Sequence, residues 1–362
     1  MAPTGILSTD LATRLAARTL ELIDIASESG AERNIAGHVL EVLRDGGVPA
    51  RDAGDTCVLA GSTSRSERPL VLLAGHFDTV PAQGNLPGCV SATGEHVEGL
   101  GACDMKGGVA VMIELALAAA PSDLDVGYVL FGREELPAAQ GALGPLLARE
   151  PGLREADLAI VLEPTANTVQ AGCLGNLDAA WTFHGRAGHS ARPWLADNAI
   201  NRAAAGVRAL HAIGPFPRTL DGLDFTEVVS VTTLHAGVAR NVIPGEARAN
   251  VNFRYAPDVG AAQAERTLRG WCEPHGEIEL LCNTPGARPP RANPLLERLL
   301  AAGGGSVEAK QAWTPVAEFA AAGIEAVNFG PGDPAFAHRP DERVATAALV
   351  RAYRVLESFL CA

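Results

Sequence analysis

The 362-residue chain has no uninterrupted apolar run long enough to cross a bilayer, since Glu114 breaks the best one. No basic segment precedes an apolar core near the amino terminus, and Asp10 arrives early, so a signal peptide is not expected. None of the seven cysteines forms a CxxC pair, which points to reduced thiols in the cytoplasm rather than a disulfide framework. Basic residues are scarce: 29 Lys and Arg face 42 Asp and Glu, a formal net charge of -13. Such a balance argues against nucleic acid and against anionic membranes as partners. Internal repeats and low-complexity tracts are also missing. What these absences leave is the expectation of a cytoplasmic protein, longer than one ordinary domain and consistent with two.

Against that background, five short hydrophobic segments each end in metal-ligand residue types. LLAGHFDTVP carries His76 and Asp78 two apart, hence on one side of a strand, where one can bind a metal while the other orients it. GLGACDMKGG is a glycine-rich turn that delivers Asp104 just before an apolar helix, and the helix N-terminus favours an ionised acid there. VLFGREEL ends a strand with the adjacent carboxylates Glu134 and Glu135, whose repulsion calls for nearby positive charge. AIVLEPT ends in Glu163, with Pro164 stopping the ladder, and VNFGPGDPAFAHRPDE places His338 in a loop after a strand. Taken singly, each has an ordinary structural explanation, such as a capped histidine or a helix-capping Asp104. Together they put only His, Asp and Glu at or just past the carboxyl ends of strands, the edge where open α/β sheets bind ligands. This is the donor set of a two-metal hydrolase.

The pattern of elements predicts two domains. Residues 1–174 and 290–362 read as a catalytic α/β domain that opens on an amphipathic helix, with Asp10 as N-cap, and contains strands Pro69 to Gly75, Val126 to Gly132 and Leu158 to Glu163. Residues 175–289 read as an insertion. Strand Leu177 to Phe183, helix Asn198 to His211, strands Glu227 to His235 and Glu246 to Tyr255 joined by a tight NVIPGE turn, helix Ala261 to Cys272 and strand Glu277 to Cys282 give the order βαββαβ. That order is ferredoxin-like. A small inserted sheet has edges to satisfy, so a homodimer is expected.

Over nearly its whole length the chain resembles the dinuclear zinc aminoacylase/carboxypeptidase family, and within it most closely the succinyl-diaminopimelate desuccinylases of actinobacteria. HFDTVP, CDMKGG, the EE pair, EPT with QAGCLGNL, GHSARPWLADNAI, NVIPGEA and FGPGDPAFAHRPDE carry the likeness, in order. The resemblance implies a mixed-sheet metallohydrolase domain with an inserted ferredoxin-like dimerisation or lid domain. It implies two zinc ions per subunit, with cobalt or manganese also accepted by such ligands. Asp104 would bridge the ions, His76 and Glu163 would complete one site, and Glu135 and His338 the other. Asp78 would hold the imidazole of His76 from behind, and Glu134 would act as base and then acid in hydrolysis of an amide.

Other roles implied by the same resemblance lie elsewhere in the chain. His189 would reach across a dimer to stabilise the oxyanion of the partner's tetrahedral intermediate, and Asn241, Arg254 and Thr314 would contact the substrate. The activity implied is removal of an N-acyl group from an amino acid, with N-succinyl-LL-2,6-diaminopimelate as first choice, ahead of another deacylase or a carboxypeptidase. An inactive metal-binding homologue is disfavoured by the presence of Glu134. Two stretches depart from the family pattern: Gly132 and Arg133 stand where aspartate and cysteine are usual, and Pro315 and Glu318 where the desuccinylases carry aspartate and arginine. Cys103, beside Asp104, is expected to be sensitive to oxidation.

Overall fold

The computed structural model describes residues 4–118 and 120–361, and the chain divides into two compact units. The first comprises Met1–Ala171, Pro289–Glu308 and Thr314–Ala362; the second comprises Gly172–Arg288 with Ala309–Trp313. Among the described residues no helix is long and apolar enough to cross a membrane.

The first unit is built on an eight-stranded mixed sheet. Its strands are β1 (Ala50–Gly54), β2 (Cys57–Gly61), β3 (Leu70–His76), β6 (Asp125–Phe131), β7 (Leu158–Val161), β8 (Val169–Ala171), β16 (Val307–Ala309) and β17 (Ala326–Asn328). They lie in the order β1-β2-β6-β3-β7-β17-β8-β16. The central four, β6, β3, β7 and β17, are mutually parallel. All their carboxyl ends therefore open on one rim. Every residue of β3 is buried, as expected of a strand covered on both faces, and a fully buried Leu or Val there stabilises by about 1.5–3 kcal/mol.

Helices cover this sheet: α1 (Thr4–Ile23), α2 (Arg33–Asp45), α3 (Gly107–Ala118), α4 (Leu143–Arg149), α7 (Pro294–Leu299), α8 (Val316–Ala321) and α9 (Thr346–Cys361). Nearly all of α3 is buried, consistent with its uniformly apolar sequence, whereas α2 is amphipathic and buries Ile35, Ala36, Val39 and Leu43. Asp10 does not cap the first helix. That helix already begins at Thr4, so Asp10 lies within it. A small antiparallel sheet of β4 (Cys89–Val90), β5 (His96–Glu98) and β18 (Arg343–Ala345) joins a segment near the amino half to one near the carboxyl end.

The second unit contains β9 (Gly175–His184), α5 (Ala199–His211), β11 (Phe216–Leu220), β12 (Leu223–Ala236), β14 (Glu246–Tyr255), α6 (Ala261–Cys272) and β15 (Glu277–Thr284). Its antiparallel sheet runs β11-β12-β14-β9-β15, the ferredoxin-like arrangement with an extra edge strand, β11. Alternate residues of β9 are buried, and Leu177, Trp181 and Phe183 form its core with Val251, Phe253 and Leu268. Trp181 and Phe183 rings lie 4.5 Å apart, and the indole N–H of Trp181 donates to the Cys272 carbonyl at 3.2 Å. Asn198 caps α5 by accepting the Ile200 N–H. The NVIPGE segment is more than a turn. Within it β13 (Val242–Ile243) pairs with β10 (Gly188–His189).

Candidate metal centre

The parallel strands bring together residues that are far apart in sequence. His76 is the last residue of β3, Glu134 and Glu135 follow β6, Glu163 follows β7, and the loop after β17 carries His338. That loop is laced to the end of β7. The Thr165 hydroxyl donates to the Gly330 carbonyl, and the amides of Ala166 and Asn167 donate to the carbonyls of Gly332 and Gly330. A side chain at Gly330 would collide with the carbonyl oxygens of Leu162 and Glu163, so this close approach requires glycine.

Three groups of donors result among the described residues: His76 with Glu134 and Glu135, and two that contain Asp104. In one, His76 Nε2 lies 3.3 Å from Asp104 Oδ1 and 3.7 Å from Glu163 Oε1. In the other, His338 Nε2 lies 3.5 Å from Asp104 Oδ2 and 2.9 Å from Glu135 Oε1. The donors of each group lie within 4.8 Å of one another, close enough to share a cation. Asp104 thus turns one oxygen to each of its two groups. Its backbone is not helical (φ -121°, ψ 97°), and the peptide that follows it is cis. An imidazole and one carboxylate on either side of a shared carboxylate suit a divalent ion in each position and leave coordination open.

Charge is concentrated here. Burial opposes a proton on His76, but Asp104 and Asp78 outweigh it and hold the imidazole well above its usual pKa. Bonding to Asp104 and Glu135 raises His338 to about 11. For Asp104, burial favours the neutral acid, yet His338 and His76 keep it well below the ordinary carboxylate range. Loss of hydration pushes Glu134 well above that range; His76 pulls the other way, and Glu163, Glu135 and Asp104 push further. A carboxyl whose neutral form is favoured in this way can accept a proton and hold it.

Asp78 organises much of the rim. Its Oδ1 accepts the Glu134 N–H at 3.0 Å and lies 3.4 Å from His76 Nδ1, while Oδ2 accepts the Glu135 N–H at 3.2 Å and the Ser29 hydroxyl at 2.7 Å. One buried carboxylate therefore orients the imidazole of His76 and the backbone beneath both glutamates.

Among the buried charged residues that escaped the sequence reading are Glu32, Glu342 and Lys106. Glu32 accepts the amides of Gly30 and Arg133, pinning the turn that carries Glu134. Glu342 accepts the amides of Gly101, Cys103 and Asp104. Lys106, lowered by burial to about 8, donates to the Ile25 carbonyl at 3.1 Å. Only tertiary contact distinguishes them from ordinary surface charges.

Both departures from the family pattern face structural partners. Arg133 pairs with Asp55 at 2.7 Å and donates to the Gln140 carbonyl. Glu318 accepts the Gly144 N–H at 2.9 Å, in the first turn of α4, where a carboxylate offsets open amides. The expectation for Cys103 is overturned: its thiol is buried, donates to the Asp333 carbonyl at 3.0 Å, and is pushed far up in pKa by burial and neighbouring acids, which disfavours the reactive thiolate.

In the second unit, His189 and Asn241 are neighbours, since β10 pairs with β13 and the Ser190 N–H donates to the Asn241 carbonyl at 3.0 Å. The Nδ1 of His189 accepts the Ala191 N–H at 3.0 Å, so a neutral ring carries its proton on Nε2 and presents a donor. Arg254 lies on β14, its Nε donating to Asn252 at 2.9 Å. Thr314 belongs to the first unit, buried just ahead of α8.

Imidazoles and carboxylates gathered at the open rim of a mixed sheet, beside a carboxyl of raised pKa, define a metal-dependent hydrolase. Residues 72–362 match the model of peptidase family M20/M25/M40, and the chain belongs to that family. It is 39% identical over 345 residues, 94% of this chain and 96% of the other, to a Mycobacterium tuberculosis protein provisionally named succinyl-diaminopimelate desuccinylase DapE. Identity to the succinyl-diaminopimelate desuccinylase of Corynebacterium glutamicum is 36% over 352 residues, 94% and 95% of the two chains. The M20 family metallo-carboxypeptidase Sso-CP2 of Sulfolobus solfataricus shares the fold, with a TM-score of 0.77, 17% identity, and coverage of 96% of this chain and 98% of that one.

Proposed function

We propose that this chain hydrolyses the amide of an N-acyl amino acid, with N-succinyl-LL-2,6-diaminopimelate as the substrate to test first. The observation that carries the reading is Asp104 shared between two donor groups with the raised carboxyl of Glu134 alongside. The names and identities of the mycobacterial and corynebacterial relatives favour the succinyl substrate.

His76, Asp104 and Glu163 would hold one zinc ion, and Asp104, Glu135 and His338 a second. When bound, such a pair lowers the pKa of a water and polarises the amide carbonyl. Glu134 accepts the proton from the attacking water and later delivers it to the departing amine, so a free amine and a free carboxylate leave. Asp78 keeps His76 and the Glu134 backbone in place. The Nε2–H of His189 donates to the oxyanion, while Asn241, Arg254 and Thr314 bind the substrate's polar groups.

The second unit would then serve as the dimerisation and lid domain of a cytoplasmic homodimer, with His189 acting across the pair. Exposed apolar residues support a homodimer: Trp194 is 73% and Val238 88% exposed, with Leu195 and Leu234 also uncovered. A second reading, another deacylase or a carboxypeptidase, is favoured by the loss of the aspartate and arginine that the desuccinylases carry at the positions of Pro315 and Glu318.

The test is turnover by zinc-loaded protein of N-succinyl, N-acetyl and dipeptide substrates. Cleavage of succinyl-diaminopimelate at the highest kcat/KM is expected; failure on it beside turnover of another amide selects the second reading. Glu134→Ala should lose roughly 10²–10⁴-fold in rate while retaining both metals. Unchanged turnover would remove Glu134 from proton transfer. Mixing that variant with His189→Ala should regain activity through hybrid dimers, and no regain would place His189 outside the partner's site.

A further inference from the structure

Glu342 takes no part in the chemistry just described, yet it is 2% exposed and lies in the same loop as His338. Its Oε1 accepts the N–H of Cys103 and of Asp104, both at 3.0 Å, and its Oε2 accepts the Gly101 N–H at 3.0 Å. Its own carbonyl accepts the Gly99 N–H at 3.0 Å. The segment so held lacks a regular ladder at Asp104. Without this carboxylate, the amides of Gly101, Cys103 and Asp104 would lose their acceptor.

The placement of Glu342 is itself fixed, because β18 follows at once and pairs with β5, Arg343 opposite Glu98. Strand pairing thus anchors the segments on which the clasp closes. One loop therefore brings His338 to the second donor group and also grips the backbone of the acid common to both groups. Because Asp104 Oδ1 faces His76 and Oδ2 faces His338, a small shift of its backbone misplaces donors of both groups together.

We infer that Glu342 is a positioning residue for the two-ion centre: its carboxylate clasps the Gly101, Cys103 and Asp104 amides and so sets the reach of Asp104 between the cations. This inference rests on the two-ion reading of the site. Glu342→Gln keeps the volume but offers one oxygen in place of two. Asp125→Asn is the control, because Asp125 accepts Ser66 and Arg68 at the amino end of β6, the opposite end of that strand from the centre.

The measurements are zinc affinity by chelator competition, the visible spectrum of the cobalt-loaded protein, kcat and KM separately, and thermal stability. E342Q should lose about 10–100-fold in zinc affinity and a similar factor in kcat, with an altered cobalt spectrum. Its KM should stay within about threefold of the parent. D125N should lower thermal stability and leave metal affinity and kcat at parent values. E342Q with the parent's affinity, spectrum and kcat overturns the inference, as does D125N reproducing the metal loss. If E342Q does not fold, E342D carries the test: weakened zinc binding supports the clasp, and parent-like binding refutes it. A parent chain that takes up fewer than two ions overturns the two-ion reading and the clasp with it, whereas a two-ion parent with an unaffected E342Q overturns the clasp alone.

Discussion

Replacing Asp78 by asparagine probes the centre without touching a proposed ligand. Asp78 is completely buried and its ionised form is favoured by bonds from His76, Ser29 and the Glu134 backbone, against the cost of burial. An amide has a single acceptor oxygen. Placed on the Oδ2 side, that oxygen keeps the Ser29 hydroxyl and the Glu135 amide, and turns the new NH2 toward the Glu134 amide and His76 Nδ1. A hydrogen bond to a charged group contributes about 1.5–3 kcal/mol, equivalent to a factor of roughly 10–150. The Asp78 carbonyl, 3.1 Å from His76 Nδ1, remains as an acceptor and preserves the tautomer. Zinc affinity should therefore fall by only about tenfold, the low end for such partners, while kcat falls by about 10–100-fold because the Glu134 backbone has lost its anchor. Chelator competition and steady-state kinetics on the same preparation separate the two. A variant with parent kcat would refute the claim that Asp78 holds the proton carrier, and a loss confined to metal affinity would reassign it to His76 alone.

Glu318 is raised by burial to about 7, with the Gly144 amide pulling the other way. A carboxyl whose folded pKa exceeds its unfolded value gives stability that is full below the unfolded value, about 4.3, and lost as pH rises through the folded one. Glu318→Gln should accordingly match the parent in thermal unfolding near pH 4 and exceed it by about 1–3 kcal/mol above pH 8; a difference independent of pH would dismiss the reasoning. Thiol reagents should label the exposed Cys89 and Cys361 in the folded protein and reach Cys103 only after unfolding. Rapid loss of the Cys103 peptide from the unmodified pool under native conditions would contradict its burial.

Much of this geometry was legible in the sequence because two periodicities carry it. Uninterrupted apolar runs such as LVLLAGH mark parallel strands covered on both faces, and a polar residue at the end of such a run falls on the open rim. The alternation of β14 and the spacing of α6 were clear enough that the expected limits, Glu246–Tyr255 and Ala261–Cys272, coincide with the observed ones. Other features depend on partners that sequence does not reveal. Strand β11 is short and contains Pro217, so it reads as a loop until β12 pairs with it. The pairing of His189 with Val242 is invisible for the same reason. Glu342, in HRPDERV, looks like one more solvated charge, and only the return of the chain to the Asp104 segment makes it an acceptor. The role of Glu318 is hidden in the same way, because the helix terminus that it caps lies far away in sequence.

The order in which the parallel strands appear along the polypeptide has a consequence for biosynthesis. His76, Asp104, Glu135 and Glu163 all precede the second unit, whereas β17 and His338 follow it. During translation the second donor group stays incomplete until the final stretch has emerged and β17 has docked beside β7. On the two-ion reading, a nascent chain carries these acids without His338 while the second unit is being made, so the second donor group is completed only afterwards.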